Sequence, residues 1–416
     1  MKKLLAISCS FPPLLFPRSI QIHRTISRLY DFGWRTTILT ADPDTLFGSR
    51  DNSLEGLYPQ TYERLSLSAA PVKSRWYLHT RRLFPSFGRI PDIYIGWAVR
   101  AIRFIKKHLE HSEFDAMCTF GTPMSDHLVG LCVKRRRDLP WVAHFSDPWV
   151  DNPYAPSDRL SDAVNRYFEN RVFTHADAAI FVTEYTRQLV MSKYPEPWKN
   201  RTTVIPHSFD PNLYPISRPA NEKLTFRYLG SFYSSLRTPE TIFQAINRLK
   251  KETPEIASQC LFEFVGSSNP VTENLCQTYQ TGPEVNFRSK VSYLESLRLM
   301  KEADVLVLID AAAEVNIFLP SKLIDYLGAD RPILGITPSV GASADVVRQV
   351  GGPVVSPQSP EEVAAAIKTL YRQHTQGKLG ESSMRPELLE NYTAERTTRQ
   401  FAEILEQISR KEPQGK

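Results

Sequence analysis

The strongest constraint on this chain is an alternation of short apolar runs with amphipathic stretches of helical length. This alternation is typical of a parallel β-sheet covered by helices, because parallel strands need long crossover connections. The strands predicted in the first half are 4–8, 35–39, 116–120, 141–144 and 178–182. The helices predicted between them are 19–32, 97–109, 125–136 and 161–176.

The same alternation restarts after a proline-rich segment at 204–219. The strands predicted in the second half are 224–229, 261–265, 304–309, 333–336 and 352–355, and the helices are 238–250, 293–301, 321–327, 360–373 and, in the tail, 394–408. Single cores stop growing at about 250–300 residues, so a chain of this length predicts more than one domain. We expect an α/β protein with two doubly wound, Rossmann-like domains at 1–211 and 212–385. A helical tail at 386–416 would pack on one of them.

Composition restricts the class of protein further. The chain of 416 residues is 42% hydrophobic and 23% charged, with a net charge of +6. This composition is typical of a globular protein and excludes disorder, collagen-like repeats and a long coiled coil. Five scattered cysteines without a CxxC pair indicate reduced thiols, as in the cytoplasm. The apolar start is interrupted by Pro12 and Pro13, which favours a buried first strand over a signal peptide. We expect a cytoplasmic protein, either soluble or peripheral to the inner face of a membrane.

Basic clusters at 81–82, 106–107 and 134–137 raise the question of a polyanionic partner. The cluster at 134–137 ends a predicted helix, where cations are favoured by the helix dipole. No nucleic-acid-binding motif accompanies these clusters, so we expect no nucleic-acid partner, whereas contact with a membrane surface stays open. The segment 47–91 has no clear period, and its aromatic residues Trp76, Tyr77, Phe84 and Phe87 would line the path of a lipid-linked acceptor or pack in the core.

In open parallel sheets, ligands bind beyond the carboxyl ends of the strands. The loop after the first predicted strand reaches Arg18 without a GxGxxG fingerprint, and it is either a structural turn or a substrate-facing loop. The loop after the strand 141–144 carries Asp147, which either binds a sugar hydroxyl and takes its proton or caps a turn beside Pro148. His144, at the end of that strand, has the position of a packed, satisfied side chain.

Two loops in the second half have features of anion sites. In 230–239, Thr238 is predicted to cap a helix with Pro239 at its first position, and Arg237 stands beside that helix N-terminus. A solvated surface arginine is the alternative.

In 319–328, Ser321 is predicted to cap a helix with Lys322 in its first turn. Asp325 lies one turn further on the same face, where its carboxylate suits the hydroxyls of a ribose; an ordinary surface Lys–Asp pair is the alternative. The two loops predict an anionic donor in the second half and an acceptor at the first half.

Several segments, taken in order, resemble glycosyltransferase family 4 of the bacterial polysaccharide-assembly type. They are 11–13, 33–40, 140–149, 170–178, 205–210 and 320–334, the last being the most specific. The resemblance covers almost the whole chain and implies the GT-B fold, in which two Rossmann-like domains face a cleft. It also implies a sugar transferred from a nucleotide-diphosphate donor to a glycan, lipid-linked or other acceptor, with retention of configuration.

The resemblance further implies roles for individual residues. Arg237 and Lys322 would hold the donor diphosphate and act in catalysis, Gly230 would let the backbone approach it, and Ser321 would lie beside the same phosphates. Asp325 would replace the glutamate that holds the ribose, and Val291 would meet the base. Ser231 belongs to the same donor site, at a position where many relatives have arginine. Asp147 would serve catalysis on the acceptor side, with Arg18 and His144.

The family needs no cofactor, and the sequence has no Asp-x-Asp motif, so we expect no metal. Of the two glutamates that the family places eight positions apart, the first is replaced by Ile317. That departure keeps a non-enzymatic alternative open, a degenerate GT-B protein that binds nucleotide or a partner without turnover. A nucleotide-sugar epimerase is a further alternative, because it would act on the donor alone.

Overall fold

The computed structural model describes residues 1–69, 79, 82–83, 85–155, 158–216, 221–232, 237–380 and 386–410. The chain divides into two compact units. The first unit comprises Met1–His207 together with the chain from Ala394, and the second comprises Ser208–Thr393. The division therefore falls four residues before the predicted start of the second domain at 212, and the final helix belongs to the first unit.

The first unit contains a parallel seven-stranded sheet in the order β3-β2-β1-β4-β5-β6-β7. Its strands are β1 Lys2–Ser8, β2 Trp34–Ala41, β3 Tyr62–Leu67, β4 Ala116–Gly121, β5 Trp141–Phe145, β6 Ala178–Phe181 and β7 Thr202–Val204. Its helices are α1 Pro17–Arg28, α2 Ile95–Phe104, α3 Ser125–Arg136, α4 Arg159–His175, α5 Glu184–Met191 and α6 Glu196–Lys199.

Both faces of this sheet are buried, as the continuous apolar run in β1 requires. Leu5 and Ile7 belong to the hydrophobic cluster on one face, and Leu4 and Ala6 belong to the cluster on the other. The second cluster includes Phe401, on the C-terminal helix, which packs against α1. The last helix therefore completes the core of the first unit.

The second unit contains a parallel six-stranded sheet in the order β10-β9-β8-β11-β13-β15 and a separate two-stranded pair, β12-β14. The strands are β8 Leu224–Leu229, β9 Cys260–Val265, β10 Val285–Arg288, β11 Val305–Ile309, β12 Val315–Asn316, β13 Ile333–Ile336, β14 Val340–Gly341 and β15 Val354–Val355. The helices from here to the end of the chain are α7 Glu240–Glu252, α8 Pro254–Ser258, α9 Pro270–Thr278, α10 Tyr293–Glu302, α11 Ser321–Ala329, α12 Ala342–Gln349, α13 Pro360–Thr375, α14 Pro386–Glu390 and α15 Ala394–Ser409.

The predicted class of two doubly wound α/β domains is confirmed. Every strand predicted from the sequence is present within a few residues of its expected bounds. Within the described ranges, the structure adds β3, β7, β10, β12 and β14, which are short or lie at or near a sheet edge. Among the described helices, none combines the length and the apolarity needed to cross a bilayer.

Candidate functional site

The strand order of each sheet reverses at one internal strand, and ligands of open α/β sheets bind at the carboxyl end of such a strand. In the first unit this strand is β1, which lies between β2 and β4. In the second unit it is β8, which lies between β9 and β11. The predicted site residues therefore fall into two groups, one at the carboxyl edge of each sheet.

Lys322, in the first turn of α11, reaches the end of β8. Its Nζ donates a hydrogen bond to the Tyr228 hydroxyl at 3.0 Å and lies 4.1 Å from the centre of that ring. A Cβ atom on Gly230 would lie 2.5 Å from this Nζ, and Gly230 has a φ of +128°, so both space and backbone conformation favour glycine here. Burial, followed by repulsion from Arg237, lowers the pKa of Lys322 to about 7. The ammonium therefore gives up its proton far more readily than a solvated lysine.

Arg237 lies at the same edge and pairs with a carboxylate that the sequence analysis missed. Its Nη2 is 3.6 Å from Oδ1 of Asp310, whose side chain is almost fully buried, and that Oδ1 has no hydrogen bond. The other oxygen, Oδ2, accepts bonds from Asn316 Nδ2 at 2.8 Å and Thr337 Oγ1 at 2.9 Å. Asp310 directly follows the wholly apolar strand β11, a position that could have identified it from sequence.

A cavity of about 370 Å³ opens beside this pair. Its lining includes Thr238 and Thr241 from the start of α7, Asp310 after β11, and Gln358. The cavity therefore lies at the carboxyl edge of the second sheet, where the sequence analysis expected an anionic donor.

Of the two predicted helix caps, the one at Ser321 needs correction, and the one at Thr238 makes its hydrogen bond at a helix that begins one residue later than expected. Helix α11 begins at Ser321 itself, with Pro320 at the N-cap position and no capping side chain, so Ser321 does not cap it. Helix α7 begins at Glu240 with Pro239 at the cap position, although Thr238 Oγ1 still accepts a 3.2 Å bond from the Glu240 amide. Thr238 therefore satisfies the first amide of α7, whereas Pro320 offers no side-chain acceptor to the first amides of α11.

Asp325 is buried, and its carboxylate is directed toward helix α10. It does not form the surface ion pair with Lys322 that was the alternative interpretation. Its Oδ1 accepts a hydrogen bond from the Tyr293 hydroxyl at 3.0 Å, and its backbone carbonyl accepts one from Tyr214 at 2.9 Å. Tyr293 lies two residues after the partly buried Val291, so this hydrogen bond ties Asp325 to the start of α10, next to the residue predicted to meet the base. Ile317, at the position of the missing glutamate, is buried.

Ser231 contributes to the loop after β8 through its hydroxyl, which donates to the Gly266 carbonyl at 3.1 Å. Its carbonyl accepts a long bond from the Tyr228 hydroxyl at 3.4 Å. Residues 233–236 of the same loop lie outside the described ranges.

In the first unit, Arg18 and His144 are in direct contact. Arg18 is the second residue of α1, and its Nη2 donates to His144 Nδ1 at 2.9 Å and to the His144 carbonyl at 3.2 Å. A guanidinium only donates, so the imidazole accepts at Nδ1 and carries its proton on Nε2. Burial lowers the pKa of His144 well below its usual value, with Arg18 as the next cause, and burial lowers the pKa of Arg18 to about 10.

Asp147 lies just beyond β5 and is partly exposed. Both of its hydrogen bonds reach Oδ2, from Thr122 Oγ1 at 3.0 Å and from Ser146 Oγ at 2.9 Å. Within the described residues no donor is bonded to Oδ1, so this oxygen is available to a hydroxyl group of a ligand.

Two buried residues near this edge were not predicted. Asp126 Oδ2 accepts from the Cys9 amide at 2.9 Å, and His127 Nδ1 bonds Thr119 Oγ1 at 2.8 Å. Burial raises the pKa of Asp126 well above its usual value, and it lowers the pKa of His127 to about 3, so this imidazole is neutral at pH 7. Their position after β4, at the N-terminus of α3, could have identified them from sequence.

Two further expectations concern a metal ion and the aromatic residues of the segment 47–91. Within the described residues, no group of three or more His, Cys, Asp or Glu side chains has the geometry of a metal site. Trp76, Tyr77 and Phe84, which were assigned either to an acceptor path or to the core, lie outside the described residues, as does the side chain of Phe87.

Comparison with known proteins supports the resemblance stated from the sequence. Residues 19–207 match the family described as glycosyl transferase 4-like domain. No curated protein sequence matches the chain.

Solved structures share its architecture over nearly the whole length. A glycosyltransferase from Rickettsia africae superposes with a TM-score of 0.68 at 12% identity, covering 99% of both chains. Sucrose-phosphate synthase from Thermosynechococcus elongatus gives 0.68 at 17% identity, covering 98% of this chain and 99% of its own. An Escherichia coli protein described as trehalose-6-phosphate, bound with UDP-2-fluoro glucose, gives 0.65 at 12% identity, covering 99% and 100%. These similarities establish the GT-B fold, and with the family match they confirm the resemblance to family 4 glycosyltransferases.

Proposed function

We propose, from the premise that this chain carries a glycosyl transferase 4-like domain within a GT-B fold, that it transfers a sugar from a nucleoside-diphosphate sugar to an acceptor. The donor is assigned to the carboxyl edge of the second sheet and the acceptor to that of the first. The observation that carries this proposal is that Lys322, at the end of β8, and Arg237, paired with Asp310, lie at the same carboxyl edge, beside the N-termini of α11 and α7. Cations and free backbone amides are the groups that bind a diphosphate.

The proposed donor site uses each residue for one part of the ligand. Lys322 and Arg237 bind the diphosphate, and Gly230 keeps the space beside the lysine free of a side chain. Asp325, held by Tyr293, binds a ribose hydroxyl, and the backbone around Val291 contacts the base.

The proposed reaction retains the anomeric configuration. The bond between the anomeric carbon and the diphosphate breaks, the acceptor oxygen attaches on the same face, and the acceptor proton passes to the departing diphosphate. Lys322 and Arg237 stabilise the charge that develops on this leaving group. Asp147 positions the acceptor hydroxyl through its free Oδ1. This chemistry requires neither a metal nor a cofactor.

We also place the activity in the cytoplasm, with a glycan or a lipid-linked acceptor reached there or at the inner membrane surface. All five cysteines are free, as in a reducing compartment.

Nucleotide binding tests the donor site. The full chain would be screened by thermal shift with UDP, GDP, ADP, dTDP and CMP, because a ligand at about 100 times its Kd stabilises the folded state by about 2.7 kcal/mol. We expect one nucleotide to shift the wild type and Arg372→Ala, an exposed arginine on α13, but not Arg237→Ala. The absence of any shift, or an equal shift in Arg237→Ala, would contradict the assignment.

One observation favours the alternative of a binder without turnover. Ile317 is buried where the family has its first glutamate, so that position offers no polar group to the transferred sugar. Measuring consumption of the donor sugar, with and without acceptor, distinguishes a transferase, an epimerase and a binder without turnover. Transfer needs an acceptor, an epimerase converts the donor alone, and a degenerate protein binds nucleotide but consumes no donor sugar.

A further inference from the structure

Arg18 forms no ion pair with any carboxylate in the part of the chain that the structure describes. Within the described residues, its hydrogen bonds are the two from Nη2 to His144, and no ion pair includes it. A guanidinium has five N–H donors, so most of its capacity is unused. Its Nε is buried without a hydrogen bond.

The surroundings of Arg18 do not neutralise it. Burial is the main cause that lowers its pKa, to about 10, which leaves it charged at pH 7. The acidic groups acting on it are Asp147, which is bonded to Thr122 and Ser146, and Asp126, which accepts from the Cys9 amide, and within the described residues neither forms an ion pair with Arg18. The ring of Phe120, whose centre is 5.4 Å from the guanidinium carbon, offers cation–π attraction but no negative charge.

A second unsatisfied group lies in the same helical turn. Ser19, the next residue of α1, is fully buried, and its hydroxyl has no hydrogen-bond partner. The first turn of this 12-residue helix also has no capping side chain, so its amides are not satisfied by the protein. An unpaired cation, a buried hydroxyl and uncapped amides in one turn are all groups that an anion satisfies.

We propose that the acceptor of this enzyme carries a phosphoryl group, and that Arg18 binds it at the start of α1. This proposal rests on the proposed function for its reference to an acceptor. Arg18 is only partly buried, and its Nη1 is neither bonded nor buried, so a ligand can reach the end of the guanidinium. A guanidinium binds a phosphate through paired, charge-assisted hydrogen bonds. The phosphoryl group belongs either to a soluble sugar phosphate or to a lipid diphosphate.

Anion binding by the full chain tests the proposal. Inorganic phosphate would be titrated calorimetrically at constant ionic strength, with the nucleotide selected by thermal shift present at saturation to occupy the donor site. We expect Arg18→Gln to weaken phosphate binding at least tenfold. Arg35→Gln, at an exposed arginine on β2, should bind phosphate like the wild type. Phosphate binding by Arg18→Gln equal to that of the wild type, or an equal loss in Arg35→Gln, would overturn the proposal.

Stability gives a second, independent measurement. Because Arg18 lacks a counter-ion, Arg18→Gln should unfold at the same temperature as the wild type or at a higher one. A clear fall in its unfolding temperature would show a structural arginine and overturn the proposal. Arg18→Lys, which keeps the charge, should retain part of the phosphate affinity.

Two probes distinguish the sources of the phosphoryl group. Glucose 6-phosphate represents a sugar phosphate, farnesyl diphosphate represents a lipid diphosphate, and glucose is the neutral control. Binding of either anionic probe that depends on Arg18 supports the proposal and names the source, whereas glucose binding as tightly as both would overturn it. If no nucleotide binds, the phosphate titration is run without one. Phosphate binding that depends on Arg18 would then support the anion site, although the missing nucleotide binding would contradict the proposed function.

Discussion

Lys322 makes donor binding depend on pH in a way that can be calculated from its environment. In the free protein its pKa is about 7, lowered first by burial and then by Arg237. A bound diphosphate favours the charged ammonium and raises this pKa, so the donor takes up a proton as it binds. The nitrogen is about half protonated at pH 7 and about 1% protonated at pH 9. A donor that binds only the charged form therefore loses affinity about fiftyfold between these pH values.

The assay is calorimetry with a nucleotide sugar whose base matches the nucleotide selected by thermal shift. A nucleotide sugar is preferred to a free nucleoside diphosphate because its diphosphate does not titrate in this range. Measured at pH 8 in buffers of different ionisation enthalpy, the binding heat should show an uptake of about 0.9 proton per donor. Lys322→Arg stays charged throughout, so its affinity should not change between pH 7 and 9. A wild-type Kd that is equal at pH 7 and 9, with no proton uptake, would refute the reasoning.

The unliganded protein should respond to pH in the opposite direction. Because the folded-state pKa of Lys322 is lowered from 10.5 to about 7, the unfolded chain holds more protons within that window. The contribution of this residue to stability therefore rises with pH from about 7 to about 10.5. Lys322→Met removes this contribution, so the stability difference between variant and wild type should shrink as the pH rises. Denaturant unfolding at several pH values measures it, and a difference independent of pH would contradict the burial of the ammonium.

Three further outcomes follow from the same structure. The pKa of His127 is lowered to about 3, so stability should fall by about 1.4 kcal/mol per pH unit below pH 6.5 for each histidine buried in this way. Urea unfolding would show this fall, and His108→Gln, at an exposed position, should not alter it. Gly230→Ala should weaken nucleotide binding at least tenfold, because its Cβ would displace the lysine ammonium 2.5 Å away; unchanged binding would argue against that lysine as a phosphate ligand. Tyr293→Phe removes one hydrogen bond to Asp325 and should raise the donor KM severalfold with little change in kcat, whereas an equal loss in kcat would point to a role in the transition state.

The elements that could be predicted from sequence are those whose pattern depends on burial on both faces. Strand β8 matches its predicted bounds because all six of its residues are buried and a glycine ends the run. Strand β3 was missed because it lies at the sheet edge, and none of its residues is fully buried. Its sequence therefore lacks the apolar run used to identify the internal strands.

At the sites, the sequence identified positions but not partners. Arg237 and Lys322 were expected to lie near each other, because both follow strands of one sheet on the same edge. Which carboxylate accompanies Arg237 depends on the adjacency of β8 and β11, and this long-range pairing has no local pattern. The link between Asp325 and Tyr293 likewise depends on the packing of α10 against α11. The cap of α11 was misplaced because Pro320 occupies the cap position that Ser321 was expected to fill.

Arg18 and Lys322 share a property that distinguishes them from Arg237. Within the described residues neither takes part in an ion pair, both lose solvation, and both lie in the first turn of a helix at a carboxyl edge. A desolvated cation without a partner destabilises the folded state, whereas the charge of Arg237 is partly balanced by Asp310. Positions that break the rules of stable folding are where functional residues are expected. Neutral substitutions at Arg18 and Lys322 should therefore leave unfolding temperatures equal or higher while ligand affinity falls, a combination that a purely structural role for either side chain would not produce.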